Sequence, residues 1–305
     1  MTWVEAGGSR AEAFIDALYS NGSSRYAHPS WTHIVGVTGP AGAGKSTLVA
    51  ALAKEARKRG LTVGILAVDP SSPFTGGAIL GDRVRMGDLS GDPGVYIRSM
   101  AARGELGGLC QAVSGGIDLL CAVGKQLVLI ETVGVGQDEV DVMRVAHTTV
   151  LVSVPGLGDD VQMMKAGLFE IADVHVVNKA DREGSGETIS QIQAMLALNA
   201  DHAHDPANRW QVPVLPVVAI RGDGVAALFE AVTAHGDHLR KGGELAVRER
   251  RMAEARVLKL AQALIADTLR RPGVDASAKQ DLERVARREL SPYSCARTLL
   301  QRARE

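Results

Sequence analysis

Apolar residues along this chain follow two rhythms. Short runs with little polar interruption occur at "HIVGVT" (33–38), "LTVGILAVD" (61–69), "VYIRS" (95–99), "QLVLIE" (126–131), "TTVLVSV" (148–154), "VHVVN" (174–178) and "VPVLPVVAI" (212–220). A run that is apolar toward both faces predicts a strand buried between two helical layers. Segments with apolar residues every three or four positions alternate with most of these runs and predict helices. Strand and helix in alternation predict an α/β fold, a doubly wound and mainly parallel sheet.

The rhythm differs at the two ends. One short amphipathic helix, roughly Ala11 to Tyr19, is predicted in the first thirty residues, followed by the polar loop "NGSSRYAHPS". The helix that follows the first strand is expected to stop at Gly60, because glycine accepts the left-handed conformation that ends helices. After about Gly236 the strands cease. The segment "GGELAVRERRMAEARVLKLAQALIADTLRR" carries Val257, Leu260, Ala261 and Leu264 at helical spacing, and Pro272-Gly273 is expected to end it. Ser291 as N-cap and Pro292 at the first helical position open a last helix. The chain therefore divides into a short helical segment (1–30), an α/β domain (31–236) and a helical appendage (237–305). The apolar stripe of the appendage is expected to pack on the main domain or on a second subunit, which makes a homodimer the expected assembly.

Composition narrows the partners. The 305 residues are 46% hydrophobic and 23% charged, with a formal net charge of −1 and only 4% aromatics. Neither nucleic acid nor an anionic membrane is favoured by that balance. Cys110, Cys121 and Cys295 stand far apart without C-x-x-C spacing, which argues against a disulfide framework or a zinc site. No apolar run reaches membrane-spanning length, and the N-terminus lacks the long apolar core of a signal peptide. The expected location is the cytoplasm.

The strongest chemical signal is "TGPAGAGKSTL". Gly39, Pro40, Ala41, Gly42, Ala43, Gly44, Lys45 and Ser46 match G-x-x-x-x-G-K-[ST] without a gap, and Thr47 follows in the same turn. Glycines let successive backbone N–H groups curl around anionic oxygens, and the next helix points its positive end at the same place. Lys45 is placed for the β- and γ-phosphates, and the Ser46 hydroxyl for Mg²⁺. Glu131 closes the apolar run "QLVLIE" beside this loop and is a second candidate magnesium ligand. Gly134, three residues on, offers a backbone N–H to a γ-phosphate and so a means of sensing it.

The base is read from "VHVVNKAD". Asn178, Lys179 and Asp181 form an N-K-x-D pattern, in which the Asp181 carboxylate accepts from guanine N1–H and the exocyclic amine. Adenine would leave that charge unpaired, which is costly. In "VVAIRGDG" the backbone N–H of Ala219 is a candidate donor to guanine O6. These residues point to GTP and GDP.

With these motifs the chain resembles the MeaB/ArgK-type GTPases, the methylmalonyl-CoA-mutase-associated GTPase chaperones. The resemblance runs from about residue 31 to the end and rests also on "VDPSSPFTGGAILGDRVRM", "RSMAARGELGGL", "ETVGVGQDEVDV" and "PGLGDDVQMMKAGLFEIAD". It implies a SIMIBI-like P-loop GTPase domain. It implies that Asp69 lies near the magnesium shell or the attacking water, that Asp82 is the acid of the first switch with Arg85 able to reach a phosphate, and that Glu131 begins the second switch. Asp159, Asp160 and Lys165 would lie in a third switch loop. The implied partners are an adenosylcobalamin-dependent acyl-CoA mutase and its adenosyltransferase. Val135 stands where Ras-like enzymes carry a water-orienting glutamine, so slow intrinsic hydrolysis is expected.

Three other functions fit parts of the sequence. A kinase of the arginine- or amino-acid-transport type would pass the γ-phosphate to another acceptor. A metallochaperone GTPase would use His202 and His204 in "ADHAHDP". A nucleotide-gated adaptor would need no hydrolysis at all.

Overall fold

The computed structural model of the chain describes residues 1–20, 31–70, 87–102, 108–132, 144–156, 169, 172–200, 210–269 and 272–302. Helices α1 (Thr2–Ala6) and α2 (Ser9–Ser20) precede β1 (His33–Thr38), α3 (Lys45–Lys58), β2 (Val63–Pro70) and a 3-10 turn (Gly87–Leu89). Then come β3 (Val95–Ala102), α4 (Gly108–Ala122), β4 (Leu127–Thr132), β5 (Thr148–Ser153), β6 (Val174–Asn178), α5 (Ser185–Ala200) and β7 (Val214–Val217). Among the described residues four helices follow: α6 (Val225–Lys241), α7 (Glu244–Leu269), α8 (Pro272–Ala286) and α9 (Pro292–Arg302). The strands form one sheet in the order β3-β2-β4-β1-β5-β6-β7, with every pairing parallel.

The two-sided apolar runs account for this architecture. Side chains alternate across a strand, and each buried strand divides its apolar residues between two layers. Val35 and Val37 of β1, Leu127 and Leu129 of β4, and Val150 and Val152 of β5 pack with Leu48 and Leu52 of α3 and Leu228 and Val232 of α6. Their neighbours Ile34, Val128 and Ile130 turn to the other side and meet Ile117 and Leu120 of α4. Leu151 and Val177 meet Ile192 of α5 on that second side.

Several elements depart from expectation. An additional short helix, α1, precedes the expected one; it is held to the sheet by Glu5, whose carboxylate accepts from Arg98 Nε at 3.1 Å. The last strand is shorter than its apolar run, and Val218 instead bridges back to Asp223. Helix α7 stops at Leu269, ahead of Pro272-Gly273 as expected, and Pro272 also opens α8, because proline is at home where the first N–H of a helix has no partner. Gly60 does follow α3 with φ +80°, as its sequence position predicts.

Helix α7 holds the domain by its polar residues rather than by its stripe. Val257 and Leu264 are 63% and 57% exposed. Those two residues stay exposed, whereas Met252 on the same helix enters the core beside α4. Arg256 pairs with Asp118 of α4 at 2.6 Å and donates to the Tyr19 hydroxyl at 3.1 Å, which ties α2, α4 and α7 together.

Beneath the sheet, at the strands' N-terminal ends, lies a buried polar cluster. Thr148 Oγ1 sits 2.6 Å from His33 Nε2 and 2.8 Å from His235 Nδ1. His235 Nε2 lies 3.3 Å from Asp173, whose carboxylate takes both arms of the Arg248 guanidinium at 2.8 and 2.9 Å. Trp31 stacks on His33 with ring centroids 4.7 Å apart. Burial is the leading cause that lowers the pKa of His33 to about 3 and of His235 to about 4; His175, buried in β6, is lowered to about 4 for the same reason.

These histidines make stability depend on pH. All three are neutral in the native protein at pH 7, whereas in the unfolded chain they take up a proton near pH 6.5. Their contribution is present above about pH 6.5 and is lost as pH falls from there to about 4 for His175 and His235 and to about 3 for His33, by about 1.4 kcal/mol per pH unit for each group within its window. Urea unfolding at pH 7 and pH 5 should show a large drop in the midpoint. His33→Gln should flatten that dependence, and an equal slope in both proteins would contradict the buried neutral assignment.

Candidate functional site

The C-terminal ends of parallel strands converge on one edge of the sheet, where α/β proteins bind ligands. Register brings Val37 of β1 beside Glu131 of β4, and Glu131 also faces Ala67 of β2. Asp69 lies two residues further toward the same edge, opposite Ala101 of β3. Asn178 ends β6 opposite Val217 of β7.

The loop between β1 and α3 is shaped by its glycines. Gly39, Gly42 and Gly44 have φ of +144°, +77° and +87°. A Cβ on Gly39 would stand 2.2 Å from the Val152 carbonyl oxygen of β5, and one on Gly44 would stand 2.5 Å from Asn178 Nδ2. The loop is therefore pressed against β5 and β6 with room for hydrogen only. Lys45, 6% exposed, folds back over it and donates to the carbonyls of Gly39 at 2.7 Å and Pro40 at 2.9 Å. The curl leaves the loop N–H groups and the positive end of α3 together, an arrangement suited to a chain of phosphates.

Behind the lysine, the Ser46 hydroxyl donates to Glu131 Oε1 at 2.5 Å. Glu131 is almost fully buried, and Thr132 beside it hydrogen-bonds Thr38 at 3.2 Å. A buried carboxylate against a serine hydroxyl at the mouth of a phosphate loop supplies the hard oxygen donors that a divalent cation such as Mg²⁺ takes.

Asn178 is the hub of the other half. Its Nδ2 donates to the Ala43 carbonyl at 2.7 Å, and its Oδ1 accepts from Lys179 N at 2.8 Å and Ala219 N at 3.1 Å. One buried side-chain amide thus fastens the phosphate loop, its own loop and the turn after β7. Lys179 adopts φ +56°, which is strained for a residue with a Cβ. That geometry lets its ammonium reach the Gly42 carbonyl at 2.8 Å. Ala180 N donates to Val217 O at 3.1 Å, and Asp181 follows at the protein surface with a partly exposed carboxylate.

The structure therefore brings together Gly39 to Thr47, Glu131, Asn178, Lys179, Asp181 and Ala219, and places the backbone of Asp69 on the same edge. Asp82, Arg85, Gly134, Asp159, Asp160 and Lys165 lie outside the described residues, as do His202 and His204. One residue of this neighbourhood escaped the sequence reading. Arg221 reaches Asp181 Oδ2 at 3.2 Å and Asp223 Oδ2 at 2.8 Å. Its signal was a cation two residues beyond Ala219 in a glycine-rich turn.

The family model of the methylmalonyl-CoA-mutase-associated GTPase MeaB matches residues 1–272. A putative GTPase of Pyrococcus horikoshii is 46% identical over 305 residues, covering 99% of this chain and 92% of that protein. The GTPase ArgK of Escherichia coli is 36% identical over 268 residues, covering 87% of this chain and 80% of its own. Among solved structures, an LAO/AO transport system kinase superposes with a TM-score of 0.65 at 27% identity, over 90% of this chain and 82% of that one.

The close approach at Gly44 generates a test. Gly44→Ala adds a methyl against the Asn178 amide at a left-handed φ. It should lower the unfolding free energy by about 1–3 kcal/mol and weaken nucleotide binding about tenfold or more. Urea denaturation and nucleotide titration measure the two effects, and wild-type values for both would refute the packing described.

Proposed function

The chain belongs to the MeaB family of methylmalonyl-CoA-mutase-associated GTPases, and from that premise we propose that it is a GTP-hydrolysing chaperone of an acyl-CoA mutase. In this reading it gates the loading of adenosylcobalamin from an adenosyltransferase, and it protects and reactivates the mutase in the cytoplasm. The observation that carries the nucleotide half is the Asn178 amide, which joins the phosphate loop to the loop bearing Asp181. The mutase half is supported by the family's association with that enzyme.

The residues divide the work as follows. Gly39, Pro40, Ala41, Gly42, Ala43, Gly44 and Thr47 wrap backbone N–H groups around the phosphates, and Lys45 exchanges its loop carbonyls for β- and γ-oxygens. Ser46 and Glu131, with Asp69 and Asp82, would hold magnesium, which would offset the charge of the phosphates. Arg85 reaches a phosphate, and Gly134 contacts the γ-phosphate. Asp181 reads the guanine edge, with Ala219 at O6 and the Lys179 stem against the base. Asp159, Asp160 and Lys165 report the nucleotide state to the partner.

Association of two copies fits α7. Val257, Leu258, Leu264 and Ile265 are all exposed on one side of that helix, and two such stripes packed together would bury them in a homodimer. The kinase reading gains one point from the likeness to an LAO/AO transport system kinase; it would be excluded if radiolabelled phosphate from GTP were released only to water.

Three outcomes test the proposal. Asp181→Asn should weaken GTP and strengthen xanthosine triphosphate, each by about tenfold or more, in competition titrations. Basal turnover should stay below about 1 s⁻¹ and rise when the cognate mutase is added. Pull-downs with methylmalonyl-, isobutyryl-, hydroxyisobutyryl- and ethylmalonyl-CoA mutases in the presence of a non-hydrolysable GTP analogue should capture one of them. Capture of none sinks the chaperone reading.

A further inference from the structure

The guanine reading leaves Arg221 without a role. Arg221 stands on a turn that the backbone fixes firmly. Val218 N donates to Asp223 O at 3.0 Å, and the N–H groups of Arg221 and Gly222 both donate to Val218 O at 3.0 Å. Gly222 and Gly224 carry φ of +83° and +76°, and a Cβ on Gly224 would lie 2.3 Å from the Pro216 carbonyl oxygen. From this turn the guanidinium spans two carboxylates, with Nε on Asp223 Oδ2 at 2.8 Å and an Nη on Asp181 Oδ2 at 3.2 Å.

The second contact has chemical meaning. Guanine presents to a carboxylate an N–H and an NH₂ on one planar carbon, N1–C2–N2. A guanidinium presents the same array of donors on one planar carbon. We infer that Arg221 is a built-in competitor of guanine: one of its N–H groups holds the Oδ2 oxygen of the Asp181 carboxylate that the base must take, yields it when a guanine nucleotide binds, and recaptures it when the nucleotide leaves. Asp223 keeps the displaced cation within reach, so recapture is local. This rests on the reading of Asp181 as the guanine-selecting residue.

The magnitude is limited by solvent. Both side chains are about half exposed, 54% for Arg221 and 41% for Asp181, and such pairs are weak. The competitor therefore lowers guanine-nucleotide affinity by about two- to fivefold, enough to ease release without preventing binding. The sign separates this role from a generic one. A cation close to a polyanionic ligand ordinarily strengthens binding, so its removal should weaken it. Removal of a competitor does the reverse.

The test is a titration of GDP and GTP against wild type, Arg221→Gln, Asp181→Asn and the double variant. Arg221→Gln should tighten both nucleotides by about two- to fivefold, and in the Asp181→Asn background the same change should have no effect. Unchanged or weaker binding by Arg221→Gln overturns the competitor. Tightening that persists in the Asp181→Asn background also overturns it, because the effect would not pass through that carboxylate. The base reading fails separately: if Asp181→Asn does not trade GTP for xanthosine triphosphate, Asp181 is not the selector, whatever Arg221 does.

Discussion

One side-chain amide holds the nucleotide edge of this protein together. Asn178, 3% exposed, spends a donor on the phosphate loop and its oxygen on two backbone N–H groups from different loops. Buried polar groups are costly unless paired, and here pairing is achieved only when three chain segments are in register. The Cβ-free positions at Gly39 and Gly44 serve the same constraint, since any larger residue would separate the loop from β5 and β6. The site is thus a rigid frame before any phosphate is considered, which is the preorganisation that phosphoryl chemistry demands.

Much of this was legible in the sequence because its physics is local. A gapless glycine loop between an apolar strand and a helix has few other readings, and "VHVVNKAD" places Asn178 and Asp181 at a strand end by simple alternation. Two-sided apolar runs gave the parallel sheet for the same reason. What the sequence concealed depends on contacts between distant segments. Pro272 reads correctly as a stop for α7, but the sequence does not reveal that it is also the first residue of α8. The upper half of "VPVLPVVAI" reads as strand, yet Val218 prefers the bridge to Asp223 that builds the Arg221 turn. Val257 and Leu264 read as buried because spacing reports which face is apolar and not what covers it.

The histidine cluster was equally hidden. His33, His147, His175 and His235 are scattered through the sequence with no motif spacing, and only the packing of β1, β5 and α6 unites His33, Thr148 and His235. Its chemistry is the opposite of a metal site or an acid–base pair. Burial keeps His33 and His235 neutral, and Thr148 and Asp173 satisfy them in a chain that ends on Arg248. The cluster is a polar seam that fixes where α6 and α7 meet the base of the sheet.

That seam has a mechanical consequence. Asp173, gripped by Arg248 of α7, immediately precedes β6, and Asn178 is the last residue of the same strand. A short extended rod of about 16 Å, clamped on both sides by parallel neighbours, is all that separates the two anchors. Displacement of α7 would therefore load either the Arg248–Asp173 fork or, through β6, the loop that follows Asn178. One five-residue strand thus ties the anchor of α7 to the amide that fastens the phosphate loop.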